Sequence, residues 1–255
     1  RSGTTLLDNI LDSQRNISVL SELGTMERLI AKYNRITGKS YPHGIESLSS
    51  ENIILLREEY NFLVNNYLKS RHQLEDEHNN KNENVDLIVD KMPLHSIHLP
   101  FIRCLFPEVK VICSIRHPLD VVLSNFQQSY EMNDEMSFLV SMEDCVNRYI
   151  DVFQHIARCA ESLNLCFHYV KYEDLVSDFE KHAISTFEYL NVTPNESYKT
   201  FYKHASNKIV ATSSRLQVSN DIYKTSKYKW RNYSEQLDSY KEKLKYFIEK
   251  FGYEL

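Results

Sequence analysis

No stretch of this chain stays apolar long enough to cross a bilayer, because its hydrophobic runs are short and charge is frequent. No internal repeat and no convincing linker is visible, which excludes a repeat array and favours one domain over residues 1–255. The five cysteines, Cys104, Cys113, Cys145, Cys159 and Cys166, are an odd set in apolar surroundings without C-x-x-C spacing. That pattern fits free buried thiols in a reducing, cytoplasmic setting rather than a disulfide framework or a zinc site. No other cluster of metal-ligand residues stands out, so no metal is implied. An excess of positive charge is also missing: the net charge is −5, which argues against a general nucleic-acid partner. Any anion site must therefore be built locally. Four N-x-[ST] triplets begin at Asn16, Asn191, Asn195 and Asn232, a number that chance accounts for.

With 255 residues, 42% of them hydrophobic, the chain can bury a substantial core. It opens on Arg1-Ser-Gly-Thr-Thr-Leu-Leu7, a turn of small residues running into an amphipathic helix. Such a helix start presents backbone N–H groups to an anion, Thr4 and Thr5 add hydroxyl donors, and Arg1 adds positive charge. No lysine follows Gly3, so the G-K-[ST] ending of a nucleoside-triphosphate loop is absent. The bland alternative is an ordinary helix start capped by Ser2 or Thr4. A strand normally delivers the chain into such a loop and none precedes Arg1, so the domain is expected to be truncated at its N-terminus.

Downstream, strand-like and helix-like segments alternate, which predicts an α/β fold with a parallel sheet. Strands are expected at Asn16–Leu20, Val85–Asp90, Val109–Ile115 and Leu165–Lys171, the last three of the continuous apolar kind used by buried parallel sheets. Helices are expected over Thr4–Ser13, Met26–Ile36, Ser47–Ser70, Ser96–Phe106, Pro118–Gln128, Ser141–Ser162, Leu175–Leu190, Asn195–Ala205 and Glu235–Phe251. The polar run Glu75–Asn84 has no period and reads as an exposed loop.

Open parallel sheets bind ligands at the carboxyl ends of their strands. Glu22, Lys91, Arg116 and Tyr172 each follow a strand, and connectivity predicts that they gather with Arg1–Thr5 on one rim. These segments resemble the sulfotransferases that use 3′-phosphoadenosine 5′-phosphosulfate (PAPS), and most closely the branch of the tyrosylprotein sulfotransferases and the tetratricopeptide-linked bacterial enzymes. Arg1–Thr5 resembles the family's phosphosulfate loop, which likewise lacks G-K-[ST]. Arg116-His-Pro-Leu-Asp-Val-Val-Leu-Ser124 resembles its 3′-phosphate motif, Lys171-Tyr-Glu-Asp-Leu-Val176 its Y-E-x-L-V stretch, and Ser213-Ser-Arg-Leu-Gln-Val218 with Lys229-Trp230 its late closing segment.

The resemblance implies a three-layer α/β/α, P-loop-NTPase-like fold, PAPS as co-substrate, no metal, and 3′,5′-ADP as product. The acceptor would be a hydroxyl on a peptide tyrosine, a carbohydrate or a small molecule, with no nucleic-acid partner and no membrane segment. If the enzyme is of the eukaryotic tyrosylprotein type, its compartment would be the Golgi lumen rather than the cytoplasm. By the same resemblance Arg1, Ser2, Gly3, Thr4 and Thr5 cradle the phosphosulfate, Arg116 and Ser124 clamp the 3′-phosphate, and Tyr172, Gln217 and Lys229 contact the nucleotide. Lys91 meets the bridging oxygen and Ser214 the transferring group. Glu22 stands where the tyrosylprotein enzymes carry their base, although a carboxylate at a helix start is also common. His95 and His98 are rival bases, since cytosolic sulfotransferases use a histidine shortly after the corresponding lysine. Glu173 and Asp174 read as a helix N-cap signal. A phosphate-loop kinase and a non-catalytic module of the same fold are the alternative functions.

Overall fold

The strands alternate with helices as the sequence predicts, and every strand pairing found is parallel. A computed structural model describes residues 1–75, 85–128, 139–202 and 226–255. The chain divides into two units, one of Asp8–Lys110 and the other of Arg1–Leu7 with Val111–Leu255, and the division falls within helix α1 (Thr4–Asp12).

In the unit Asp8–Lys110, β1 (Ile17–Ser21) pairs with β2 (Leu87–Lys91) in a register that sets Ile17 against Leu87 and Ser21 against Lys91. Between them run α2 (Thr25–Thr37) and α3 (Ser50–Glu75). Met26, Leu29 and Tyr33 recur at helical spacing on α2 and pack with Leu56, Phe101 and Leu105 into one core. Gly38 ends α2 in the left-handed region (φ 67°), a conformation glycine adopts without the backbone strain of other residues, and its N–H reaches Asn34 O.

α3 runs past the expected end at Ser70. Arg71 grips Asp12 with two hydrogen bonds of 2.6 and 2.7 Å, and Asp12 also accepts from Val19 N at 3.1 Å. A nearly buried bidentate pair of this kind supplies an order that the local pattern does not. Residues 76–84, most of the expected loop, lie outside the described residues.

The single helix expected over Ser96–Phe106 is instead a 3-10 segment (Pro93–His98) followed by α4 (Leu99–Leu105). Pro100 is the reason. A helix begun at Ser96 would need an N–H at Pro100, whereas the first turn of α4 needs none there.

In the second unit, β3 (Val111–Ile115) pairs with β4 (Phe167–Lys171), and α5 (Pro118–Phe126) and α6 (Met142–Ser162) lie between them in the chain. Ser141 caps α6, its Oγ accepting from Asp144 N at 3.1 Å. The helix expected over Leu175–Leu190 is broken at Asp178 (φ −132°, ψ 71°) into α7 (Tyr172–Ser177) and α8 (Phe179–Leu190). Ser177 Oγ, at the end of α7, donates back to Glu173 O in its first turn at 2.6 Å.

Asn195 starts only a 3-10 turn, Glu196–Thr200, and the rest of that expected helix passes beyond the described residues. α9 (Asp238–Lys250) closes the unit, packing Leu244, Phe247 and Ile248 with Ile115, Leu119, Val122, Val146 and Trp230. Among the described residues, no helix is long and apolar enough to cross a membrane.

Candidate active site

In the second unit the opening loop is built around Gly3. Its φ of +87° suits glycine, and a Cβ there would come within 2.6 Å of the Tyr172 ring. Gly3 O accepts from Leu6 N at 3.1 Å and Leu7 N at 3.2 Å, which starts α1. The N–H groups of Thr4 and Thr5 are then first-turn donors that the helix itself does not use. Ser114 Oγ on β3 donates to Ser2 O at 3.2 Å and ties the loop to the strand.

Arg1 Nε donates to Ser124 Oγ at 3.2 Å, so the loop's arginine meets the last residue of the Arg116–Ser124 motif. Arg116 follows β3 with only 10% of its side chain exposed and hydrogen-bonds Asp120 Oδ2 at 3.1 Å and Ser226 O. Its guanidinium lies 5.1 Å from the centre of the Tyr172 ring. Its Nε is buried and has no hydrogen-bond partner among the described residues. Burial pushes the Tyr172 hydroxyl above its ordinary range, against the pull of Arg116.

Asp120, not among the sequence candidates, organises the surroundings of Arg116. It is 1% exposed, and besides Arg116 it accepts from Tyr228 N at 2.8 Å and Trp230 N at 2.9 Å. The carboxylate thereby fixes the backbone on both sides of Lys229. The i,i+4 spacing of Arg116 and Asp120 at a helix start was the available signal.

Glu173 requires a correction. It does not cap a helix: Lys171 occupies the N-cap of α7 and makes no side-chain cap bond. Glu173 is 4% exposed and accepts from His117 N at 3.0 Å and from the Tyr253 hydroxyl at 2.7 Å. Burial and the Glu173 carboxylate together push the Tyr253 hydroxyl far up.

In the unit Asp8–Lys110 the paired ends of β1 and β2 carry the other predicted residues. Glu22 N donates to Lys91 O at 2.8 Å, extending the ladder by one bond. Lys91 Nζ then meets Glu22 Oε1 at 2.9 Å and Asp8 Oδ2 at 3.5 Å. Glu22 stands at φ 55°, sparsely populated for a residue with a side chain. The helix-start reading of Glu22 does not hold, because α2 begins at Thr25 behind Gly24 and its first-turn acid is Glu27. Asp8 was not among the sequence candidates either.

His95 and His98 have partners of their own. His98 Nδ1 lies 2.8 Å from the Tyr41 hydroxyl, and His95 Nδ1 lies 3.6 Å from Asp90 Oδ1. Burial lowers His95 to about 4, and its Nε2 is buried with no partner among the described residues. Burial raises Asp90 to about 6, against hydrogen bonds from Thr25 and Tyr60. The two groups have opposite linkage.

The native state keeps the Asp90 proton between pH 6 and the ordinary carboxylate range, so acidification through that window stabilises the fold. It refuses the His95 proton between the ordinary histidine value and pH 4, so the same acidification destabilises it. Relative to wild type, Asp90→Asn is therefore expected to lose stability on going from pH 6.5 to 4.5. His95→Gln is expected to gain it, each by on the order of 2 kcal/mol. Parallel denaturation curves for all three proteins across that range would refute the assignment.

Ser214 and Gln217 lie outside the described residues. Lys229 is placed, in a 3-10 segment (Lys229–Tyr233) beside the Asp120 clamp.

A model of the Sulfotransferase family matches residues 1–196, a span that takes in every site residue expected from the sequence except Ser214, Gln217 and Lys229. An uncharacterized protein of Aquifex aeolicus (strain VF5) is 27% identical over 244 residues, covering 93% of this chain and 30% of that protein. The chain thus spans about 30% of the length of the relative it matches. Among solved structures, the sulfotransferase domain from the curacin biosynthetic pathway aligns with a TM-score of 0.61 at 18% identity, over 100% of this chain and 95% of that one. The sulfotransferase domain of the Synechococcus PCC 7002 olefin synthase aligns at 0.53 and 19% identity, over 90% and 83%. The sulfotransferase STF9 from Mycobacterium avium aligns at 0.55 and 13% identity, over 100% and 75%. At such identities these neighbours speak for the fold, which is the α/β sulfotransferase fold. With the family match covering well over half of its residues, the chain belongs to the sulfotransferase family.

Proposed function

We propose that the chain moves a sulfuryl group from PAPS to an acceptor hydroxyl, releasing 3′,5′-ADP, and that a peptide tyrosine is the acceptor its resemblance favours. The observation that carries this reading is Arg116. Its Nε is buried and lacks a partner among the described residues, and the side chain lies over the Tyr172 ring that also packs on Gly3 of the anion loop. A buried guanidinium donor left open beside a phosphate-type loop fits a bound anion, because an unmade buried donor costs about 1–3 kcal/mol. The loop, Arg116 and Ser124 therefore suit a donor with phosphates at both ends of a nucleoside.

When bound, the donor supplies an activated sulfuryl group whose departure leaves negative charge on a phosphate oxygen. Arg1 and the Thr4 and Thr5 N–H and hydroxyl groups hold the 5′ end, and Arg116 with Ser124 holds the 3′-phosphate. Lys91 places positive charge where the leaving oxygen gains electrons. Glu22 accepts the acceptor's proton, since a neutral hydroxyl is a poor nucleophile until that proton is leaving. Glu22 Oε1 is taken by Lys91, while the side chain is 36% exposed and has a second oxygen to offer. His95 is the weaker candidate, its Nε2 being buried and its Nδ1 turned towards Asp90. Ser214, Gln217 and Lys229 keep the roles their resemblance implies.

The test is thermal shift with 3′,5′-ADP and with 5′-AMP, which lacks the 3′-phosphate. Wild type should be stabilised by 3′,5′-ADP well beyond 5′-AMP. Arg116→Ala should bind 3′,5′-ADP about 10–100-fold more weakly, the value of a lost charged hydrogen bond, and should no longer distinguish the two. Stabilisation by ATP with Mg²⁺ instead would point to a phosphate-loop kinase. No response to either adenosine phosphate would sink the donor assignment.

A further inference from the structure

We infer that Asp8 is a positioning residue for sulfuryl transfer, holding the Lys91 ammonium in place while Glu22 turns its carboxylate to the acceptor; this rests on the function proposed above. Asp8 lies on α1, about one helical turn after Thr4. It is 4% exposed, and its carboxylate is locked by the Ser21 hydroxyl, which donates to Oδ2 at 2.6 Å. The same oxygen stands 3.5 Å from Lys91 Nζ. The other oxygen, Oδ1, is buried with no hydrogen-bond partner among the described residues.

Lys91 is thus flanked by two carboxylates of different character. Glu22 is partly exposed, at a strand end with φ 55°; Asp8 is buried and fixed. Asp90, the next acid along β2, falls on the opposite face by strand alternation and is engaged with Thr25 and His95.

A lysine has a flexible four-carbon stem and three rotatable donors. Were Glu22 its sole partner, each movement of the base towards an acceptor would release the lysine. Asp8 removes that conflict: its open Oδ1 can take an ammonium hydrogen while Oδ2 stays with Ser21. The unpartnered oxygen is costly if Asp8 only braces Ser21, because an unmade buried acceptor weakens the fold. Positioning of Lys91 gives that oxygen a use.

Two measurements on the full chain test this. The first is turnover with PAPS and a tyrosine-containing peptide. Asp8→Asn should lower kcat about 10-fold, in the range found for second-layer ligand orienters, with peptide KM within twofold. Asp8→Glu should recover part of the loss, and Ser21→Ala should cost less than Asp8→Asn. The second is donor-free acylation of the Lys91 amine at one fixed pH, followed by mass spectrometry. Lys91 should be modified several-fold faster in Asp8→Asn than in wild type, with melting temperatures of the two compared to exclude global opening. Wild-type kcat in Asp8→Asn, or equal acylation rates, would overturn the inference. If wild type itself transfers nothing from PAPS while acylation still depends on Asp8, the sulfuryl-transfer reading fails and the role falls with it, though the Asp8–Lys91 contact stands.

Discussion

Glu22→Gln is expected to lower kcat with PAPS and a tyrosine peptide by about 10²–10⁴-fold, the span associated with loss of a general base. Binding of 3′,5′-ADP should stay within twofold of wild type. The amide keeps the size of the side chain and can still accept from Lys91 at the 2.9 Å position. It cannot take a proton from the acceptor. The backbone bond from Glu22 N to Lys91 O is untouched, so the strand ends should keep their geometry. That is why the loss should fall on kcat and not on nucleotide affinity. Turnover within threefold of wild type would remove Glu22 as the base. His95 would then have to break its approach to Asp90 and become exposed to serve instead, and His95→Gln would become the decisive variant.

Much of this site is legible in the amino-acid sequence itself. β2, β3 and β4 announce themselves as apolar runs, and that alone locates Lys91, the last residue of β2, and Arg116 and Tyr172, which follow β3 and β4. Gly3 reads as a turn glycine, but its need is doubled by the Tyr172 ring, a contact across most of the chain that no local pattern encodes.

The helix ends differ from expectation where one backbone group decides. Pro100 moves the start of α4, and Asp178 splits α7 from α8. Glu173 looks like a cap because an acid at a helix start usually is one; its burial between His117 and Tyr253 depends on the C-terminal segment folding back. Asp120 shows in the sequence only its i,i+4 spacing from Arg116, and Asp8 is hidden there for a related reason. Each is an acid on a helix, and each acquires its role only through partners brought by tertiary structure: Tyr228 and Trp230 for the first, Ser21 and Lys91 for the second.

Lys91→Met is expected to act on both catalysis and stability, and the two effects can be separated. Sulfuryl transfer, like phosphoryl transfer, calls for alignment and for positive charge at the departing oxygen more than for covalent help. Removing that charge should lower kcat by about 10²–10³-fold, comparable to losing one preorganised donor at a developing oxyanion. It also strands Asp8, whose carboxylate is 3% exposed and would retain Ser21 as its remaining partner. Breaking a buried pair from one side is destabilising, by about 3–5 kcal/mol when the remaining charge is fully enclosed. The 12% exposure of Lys91 places this site towards the lower end. Lys91→Arg separates the contributions. It keeps a positive charge against Asp8 and Glu22, so most of the stability should return. Its planar fork cannot reproduce a point charge on one bridging oxygen, so kcat should remain at least ~10-fold down. The check is to measure melting temperature and kcat for both variants, with kcat taken at a temperature where each is fully folded. Were kcat in Lys91→Met to recover to within threefold of wild type under those conditions, its effect would be one of folding, and the leaving-group role would pass to another cation.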